Sequence, residues 1–268
     1  MNCDLLMQWS IFCDYPIFRM HMKRYFEKRF NKILFYPSNH NRDHSFRPFL
    51  EKVIDDKHWL KPEPINWTEP GIDWRQSETI PLIEASDSEW IFITEPDFFC
   101  KDWDIFLNMV EDEMKTANMI GWMNMTNFHY IHPSCFFIKR SMLEKTSKDF
   151  RAHPEVGGSD HFATVTRDVE KVGGKIVTLK EMGLIDWEDF FHLGGLTQNY
   201  IEMNENPETY DSFVRPELFY IYNYWSRKAD VEQSPEYLTL SKAVERKLLD
   251  TKGITINPEE NKWSIFFK

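Results

Sequence analysis

Cysteine is scarce and arranged for nothing in particular. The four cysteines, Cys3, Cys13, Cys100 and Cys135, are scattered over 268 residues with no Cys-x-x-Cys pair and no zinc spacing. That excludes a disulfide framework or a zinc module and leaves buried, reduced thiols as the plain reading. Long apolar runs are also missing: none approaches the roughly 20 residues that cross a bilayer, and the N-terminus lacks the basic-then-apolar order of a signal peptide. A soluble cytoplasmic protein with no integral membrane association is the expectation. Positive charge is in deficit, and the net charge of −11 argues against nucleic-acid binding driven by phosphate neutralisation. The local cluster Lys23, Arg24, Lys28, Arg29 and Lys32 reads as a solvated helix face, with a phosphate track as the other option. Repeats and low-complexity tracts are missing too.

Aromatic residues, in contrast, are plentiful. They make up 16% of the chain, with 22 Phe and 10 Trp, enough large flat surface for a core, for stacking on a base or for packing on a sugar. The length suits one α/β domain, here residues 1–198, followed by an extension over residues 199–268. Hydrophobic periodicity gives a strand over residues 4–12, a helix over 16–30 and a strand over 33–36, a βαβ opening of the kind that builds parallel sheets. A second helix follows over residues 46–60, and Pro62, Pro64 and Pro70 then break the chain before a third over residues 72–85. Beyond residue 97 come a helix over 103–114, strands over 119–123 and 132–140, a helix over 159–172 closed by Gly173-Gly174, and a strand over 175–179. The extension carries an aromatic stretch over residues 214–225 and a helix opened by Ser234-Pro235-Glu236 that reaches about residue 249.

The run Trp90-Ile91-Phe92-Ile93-Thr94 ends abruptly in Glu95-Pro96-Asp97. A buried strand would thus deliver two carboxylates, either side of a rigid proline, to the carboxyl edge of a sheet, where open α/β sheets bind ligands. Two hard oxygen donors held that way suit a divalent cation that also takes phosphate oxygens.

In residue type and setting, this segment resembles the Asp-x-Asp motif of the GT-A glycosyltransferases, family 2-like, with Glu in the first place. The resemblance covers roughly residues 4–195. It implies a GT-A-like, Rossmann-like α/β fold with a mixed, mostly parallel sheet flanked by helices and a mainly helical C-terminal extension. In these enzymes an Arg-bearing helix precedes the metal strand and meets the base and diphosphate of the donor, a place taken here by Asp73-Trp74-Arg75. Asp73 serves equally well as a residue complementing a helix dipole. Trp122, His132 and Ser134 would border the acceptor, each also serviceable as a packed residue.

In Gly157-Gly158-Ser159-Asp160-His161 the serine is a good N-cap and Asp160 sits on a first helical turn. A capped helix explains that pattern by itself. The resemblance adds that Asp160 would be the general base of an inverting transfer, with His161 beside it on the substrate. Phe191-His192-Leu193-Gly194-Gly195 is similar to the late histidine that completes the metal site of some relatives. Asp97 and His192 would then be the best ligands for Mn²⁺ or Mg²⁺, with Glu95 contacting the metal directly or through water. Imidazole favours Mn²⁺ over Mg²⁺.

The implied reaction is transfer of a sugar from a UDP- or GDP-sugar to a hydroxyl, either of a saccharide or of a hydroxymethylated base in DNA, as in some bacteriophages. Glu in place of the first Asp, and Ser-Asp-His where many inverting relatives carry Glu-Asp, depart from the family pattern. Two other classes stay open. A nucleotidyltransferase would carry a Gly-rich phosphate loop after the first strand, whereas Ser10-Ile11-Phe12-Cys13-Asp14-Tyr15 has no glycine. An inactive sugar-binding relative would need neither the metal nor Asp160.

Overall fold

A computed structural model describes residues 1–9, 15–37, 73–124, 129–153, 161–194, 216–228, 249 and 256–267. Its centre is a six-stranded sheet in the order β2-β1-β3-β6-β5-β7, built from β1 (Cys3–Trp9), β2 (Ile33–Pro37), β3 (Trp90–Thr94), β5 (Met119–Asn124), β6 (Tyr130–Lys139) and β7 (Ile176–Thr178). β1 pairs in parallel with both β2 and β3, and β5 with β7, while β6 runs antiparallel between β3 and β5. The chain is therefore an α/β protein with a mixed, mostly parallel sheet, as its alternation of strands and helices predicts. Reversal of β6 alone has a geometric consequence. The carboxyl ends of β1, β3 and β5 share one edge with the amino end of β6.

Both faces of the sheet are covered, which explains the near-continuous apolar runs. Strand side chains alternate sides with period two. Leu5, Met7, Phe92, Cys135 and Phe137 enter one core together with helix α1 (Tyr15–Arg24), helix α3 (Trp103–Glu113) and helix α6 (Pro216–Lys228). Leu6, Ile91, Ile93, Phe136 and Ile138 enter the other, closed by helix α2 (Trp74–Ala85), the short helix α4 (Arg140–Leu143) and helix α5 (Ala163–Lys171). Phe92 and Phe137 stack across the β3–β6 pair with centroids 3.8 Å apart.

Two short strands, β4 (Phe98–Cys100) and β8 (Phe190–His192), form a separate antiparallel pair just past the carboxyl end of β3. Phe191 packs between Phe99, Trp187, Phe266 and Phe267. Residues of the expected extension, Leu218, Ile221, Tyr222, Phe266 and Phe267, thus join the same core as β4 and β8.

Asp4 shows how a charge can be buried in such a core. Its carboxylate accepts hydrogen bonds from the Ser86 hydroxyl at 2.7 Å, the Ser88 hydroxyl at 2.7 Å and the backbone N–H groups of Asp87, Ser88 and Lys32 at 3.0–3.2 Å. Burial alone would raise its pKa; the hydroxyl and N–H donors outweigh it and hold the carboxyl below its usual value. A folded pKa below the unfolded one contributes stability at neutral pH that is lost as pH falls through the folded value. Asp4→Ala is expected to cost about 3 kcal/mol or more at pH 7, since it leaves buried donors unmatched. Wild type and variant should converge as urea denaturation is repeated toward pH 2; a gap that does not shrink would count against this account.

Several sequence expectations meet the structure directly. The third helix, the Trp90 strand and the helix from residue 103 lie where periodicity puts them. Gly173, at φ +74°, and Gly174 close α5, their N–H groups reaching Glu170 and Val169. The start of α5 requires a correction. Residues 161–162 form a turn, Phe162 takes the cap position at φ +73°, and the helix begins only at Ala163, so Ser159 does not cap it and Asp160 is not on its first turn. Phe162 is fully buried against Phe136 and Phe150, and this packing sets the boundary. Residues 154–160 themselves, the helix over 46–60 and most of that over 234–249 lie outside the described residues. Of the basic cluster, Arg29 pairs with Glu111 and Lys32 with Asp87, as on a solvated face. Cys3, Cys100 and Cys135 are buried and free; Cys13 is outside the described residues.

Candidate functional site

The carboxyl end of β3 is where the chain turns polar. Thr94 is still held in the sheet, its hydroxyl donating to the Ser134 carbonyl at 2.6 Å. Glu95-Pro96-Asp97 then turns the chain into β4, with the Phe98 N–H returning to the Glu95 carbonyl at 3.2 Å. Because Phe98 pairs with His192 across β4 and β8, and the Leu193 N–H donates to the Asp97 carbonyl at 2.9 Å, the histidine is fixed beside both acids. Its Nε2 lies 2.9 Å from Glu95 Oε2 and 3.1 Å from Asp97 Oδ1. The residues expected to form a metal site, separated by up to 97 positions in the chain, are brought together.

Glu95 is shared. Its Oε1 takes the Arg75 guanidinium while Oε2 faces His192, so a single oxygen is left to serve as a ligand. Burial would raise the Glu95 pKa, and Arg75 and His192 overcome that and hold it well below the usual carboxylate range. For His192 the balance has the opposite sign. Burial would lower its pKa, but Asp97 and Glu95 lift it to about 10. Arg75 is held in turn by Gln8 at the end of β1, whose Oε1 accepts from the guanidinium while its Nε2 donates to the Arg75 carbonyl at 3.2 Å and to Thr79 Oγ1 at 3.0 Å. Gln8 was missed in the sequence. The available signal was a second polar side chain, after Asp4, within a mostly apolar strand.

The β5–β6 pair completes the surroundings. Its register jumps between Gly121, opposite Phe136, and Met123, opposite Ile131, so residues 132–135 bulge opposite Trp122. Bulges re-aim side chains near functional sites. Here Pro133, which cannot donate to a ladder, sits in the bulged segment. Gly121 permits the close approach, because a Cβ there would lie 2.1 Å from the Cys135 carbonyl oxygen. As a result the Trp122 and His132 rings are 4.9 Å apart, Trp122 and His192 5.8 Å, and His132 and His192 5.1 Å. Glu95, His132 and His192 each bring one potential ligand atom within 4.8 Å of the others.

A second group forms at the start of α2. Asp73 caps the helix, accepting from the Gln76 N–H at 3.0 Å, and His161 Nδ1 lies 4.0 Å from the Asp73 carboxylate. Gln76 also clamps the loop after α4, donating to the Lys148 carbonyl and accepting from the Phe150 N–H. Between them an open cavity of about 480 Å³ has Asp73, Gln76, Lys148 and Arg151 on its walls. Asp160 lies outside the described residues.

Two carboxylates and an imidazole are a hard-oxygen set with one borderline nitrogen, chemistry that could hold a divalent cation. Among the described residues no helix is long and apolar enough to cross a membrane.

No protein-family model matches the chain, and no curated protein is detectably similar in sequence. Solved structures do show a likeness. The mannosyltransferase PcManGT from Pyrobaculum calidifontis, in complex with GDP-Man and Mn²⁺, matches 92% of this chain and 69% of its own at 12% identity and a TM-score of 0.45. The S. aureus TarS fragment 1-349, in complex with UDP-GlcNAc, matches 92% of this chain and 73% of its own at 10% identity and a TM-score of 0.46. The bifunctional IspDF from Campylobacter jejuni matches 66% of this chain, which spans only 49% of that protein, at 12% identity and a TM-score of 0.40. At such values the likeness assigns this chain neither substrate nor mechanism.

Proposed function

We propose that the protein is a metal-dependent glycosyltransferase of the GT-A kind, moving a sugar from a UDP- or GDP-sugar to a hydroxyl of a saccharide or of a hydroxymethylated pyrimidine in DNA, with inversion. The observation that carries this reading is the convergence of Glu95, Asp97 and His192 on one point of the sheet's carboxyl edge, with Arg75 directly behind Glu95. Asp97, His192 and one oxygen of Glu95 would hold Mn²⁺ or Mg²⁺. When bound, that ion supplies Lewis-acid stabilisation to the charge building on a diphosphate leaving group.

The chain's own residues divide the remaining work. Arg75 holds Glu95 in place and adds a fixed positive charge beside the diphosphate. Asp73, at the wall of the 480 Å³ cavity, is positioned to accept from the nucleotide, and His161 beside it contacts the substrate. Trp122, half-buried next to both histidines, offers a ring face on which a sugar can pack while water is kept out. Asp160 takes the proton from the acceptor hydroxyl as the new glycosidic bond forms, the role of a general base.

The test is a screen of UDP- and GDP-sugars with Mn²⁺, following labelled sugar into glycan or into hydroxymethylated DNA. Metal-dependent transfer or donor hydrolysis is the expected result. Binding without turnover would indicate an inactive sugar-binding protein, and full activity in EDTA would remove the metal from the mechanism.

A further inference from the structure

We propose that the acceptor is an uncharged saccharide, held in the cavity between α2 and the loop after α4, and not a base in DNA. The inference rests on the nucleotide-sugar reading above and chooses between its two acceptors. The cavity of about 480 Å³ adjoins the site through Asp73, which precedes Arg75 by two positions and lies 4.0 Å from His161, the neighbour in sequence of Asp160. Its size is ordinary for a small-molecule site, but such sites are lined mostly by apolar and aromatic side chains. Here Ser77, Ser147 and Lys148 stand with the residues already named, and none of the described lining side chains is apolar. A second cavity of about 250 Å³ shares Asp149 as a wall and runs along α5 past Thr164, Arg167, Asp168 and Lys171. Those four positions follow the spacing of one helix face.

Charge decides the class of ligand. Leaving His153 aside, the two cavities present the cations Lys148, Arg151, Arg167 and Lys171 and the anions Asp73, Asp149 and Asp168. Arg151 is already bonded to Asp149, and Lys171 lies 3.8 Å from Asp168. In a chain of net charge −11, walls so nearly balanced hold no surplus that would neutralise a run of phosphates. A sugar hydroxyl has both a donor hydrogen and acceptor lone pairs, so it matches either sign. The walls are also held firmly. The Gln76 amide donates to the Lys148 carbonyl at 2.9 Å and accepts from the Phe150 N–H at 2.6 Å, while Ser147 gives its N–H and its hydroxyl to Asp168 at 2.9 and 2.6 Å. Between them Lys148 is kept in the left-handed region at φ +55°, which glycine adopts without strain. Strain of this kind collects where a side chain serves a ligand. Glycine at this position would relax the backbone and leave the cavity without its lysine.

The test applies the full chain, with and without Mn²⁺ and UDP or GDP, to an array of neutral, uronic-acid and phosphorylated glycans and to a DNA duplex containing hydroxymethylcytosine. Neutral glycans should be retained, and the acidic glycans and the DNA should not. On the glycan held best, Lys148→Gly is expected to lower affinity roughly 10-fold, and Ser77→Trp, which fills the cavity, to abolish binding, while Mn²⁺-dependent affinity for UDP or GDP stays within about 3-fold of wild type. Lys148→Gly should resist urea at least as well as wild type, which separates a lost ligand contact from a lost fold. Preference for the DNA or for acidic glycans, retention of no glycan, or neutral-glycan binding untouched by both variants would overturn the proposal. An equal fall in nucleotide affinity would give the cavity to the donor and overturn it as well. If the wild type with Mn²⁺ binds neither UDP nor GDP, the nucleotide-sugar reading fails by itself, whereas a neutral glycan that both variants release still assigns the cavity to a saccharide.

Discussion

Asp97→Asn and His192→Ala should each weaken Mn²⁺ binding by roughly 100-fold or more, at least the loss seen when groups that only support metal ligands are removed, and abolish metal-dependent binding of UDP or GDP. Neither change should unfold the protein. The Asp97 backbone, which accepts from the Leu193 N–H, is untouched in the Asn variant, and β8 keeps Phe190 and Phe191 in the core when His192 is shortened. The two variants are informative as a pair because their wild-type side chains meet at 3.1 Å. If each supplies a ligand to one ion, the double variant should be little worse than either single one, since the site is already lost. Isothermal titration with Mn²⁺, beside circular dichroism to check the fold, measures this. Unchanged Mn²⁺-dependent nucleotide affinity in both variants would sink the metal assignment and leave Arg75, Glu95, His192 and Asp97 as a structural ion-pair network.

Asp160→Asn is expected to lower kcat by roughly 10²–10⁴-fold with donor affinity preserved, because proton removal matters in the transition state and not in donor binding. Single-turnover transfer, measured beside donor titration, separates the two effects. Were Asp160 without a part in the chemistry, the same near-isosteric change would leave turnover intact. Near-native turnover would refute the base assignment and point to a retaining reaction in which the departing phosphate takes the proton.

Much of the site was legible in the sequence because its signals are local. A five-residue apolar run followed by Glu-Pro-Asp is visible without a partner, and burial of all five side chains of β3 is what that run demands. Asp73 at the positive end of a helix dipole and the glycine pair after α5 are local for the same reason, although the helix begins at Trp74 with Asp73 as its cap and not at residue 72. His192 needed the family resemblance, since nothing in its own neighbourhood shows that Phe190–His192 pairs with Phe98–Cys100. The links between elements were harder to read. Gln8 acts on Arg75 67 positions away, and no periodicity encodes that meeting. The bulge left two traces, a glycine and a proline inside strands, but they mark an irregularity without saying which side chains it turns together. The start of α5 misled because Phe162 pays for its left-handed backbone with burial that only the folded core reveals.

The small β4–β8 pair ties the site to residues far along the chain. Phe191, next to His192, is held by Phe266 and Phe267, so the histidine's place depends on aromatic residues some seventy positions later. During synthesis every proposed ligand leaves the ribosome well before those two phenylalanines do, and the nascent chain then has the site's composition without its geometry. Proteolytic nicking between residue 192 and residue 262 would leave the ligands in place by sequence, and activity would survive only if the released segment stayed docked. Loss of metal binding under mild proteolysis, ahead of any loss of the central sheet, would be the signature of a site assembled from both ends of a long loop closure.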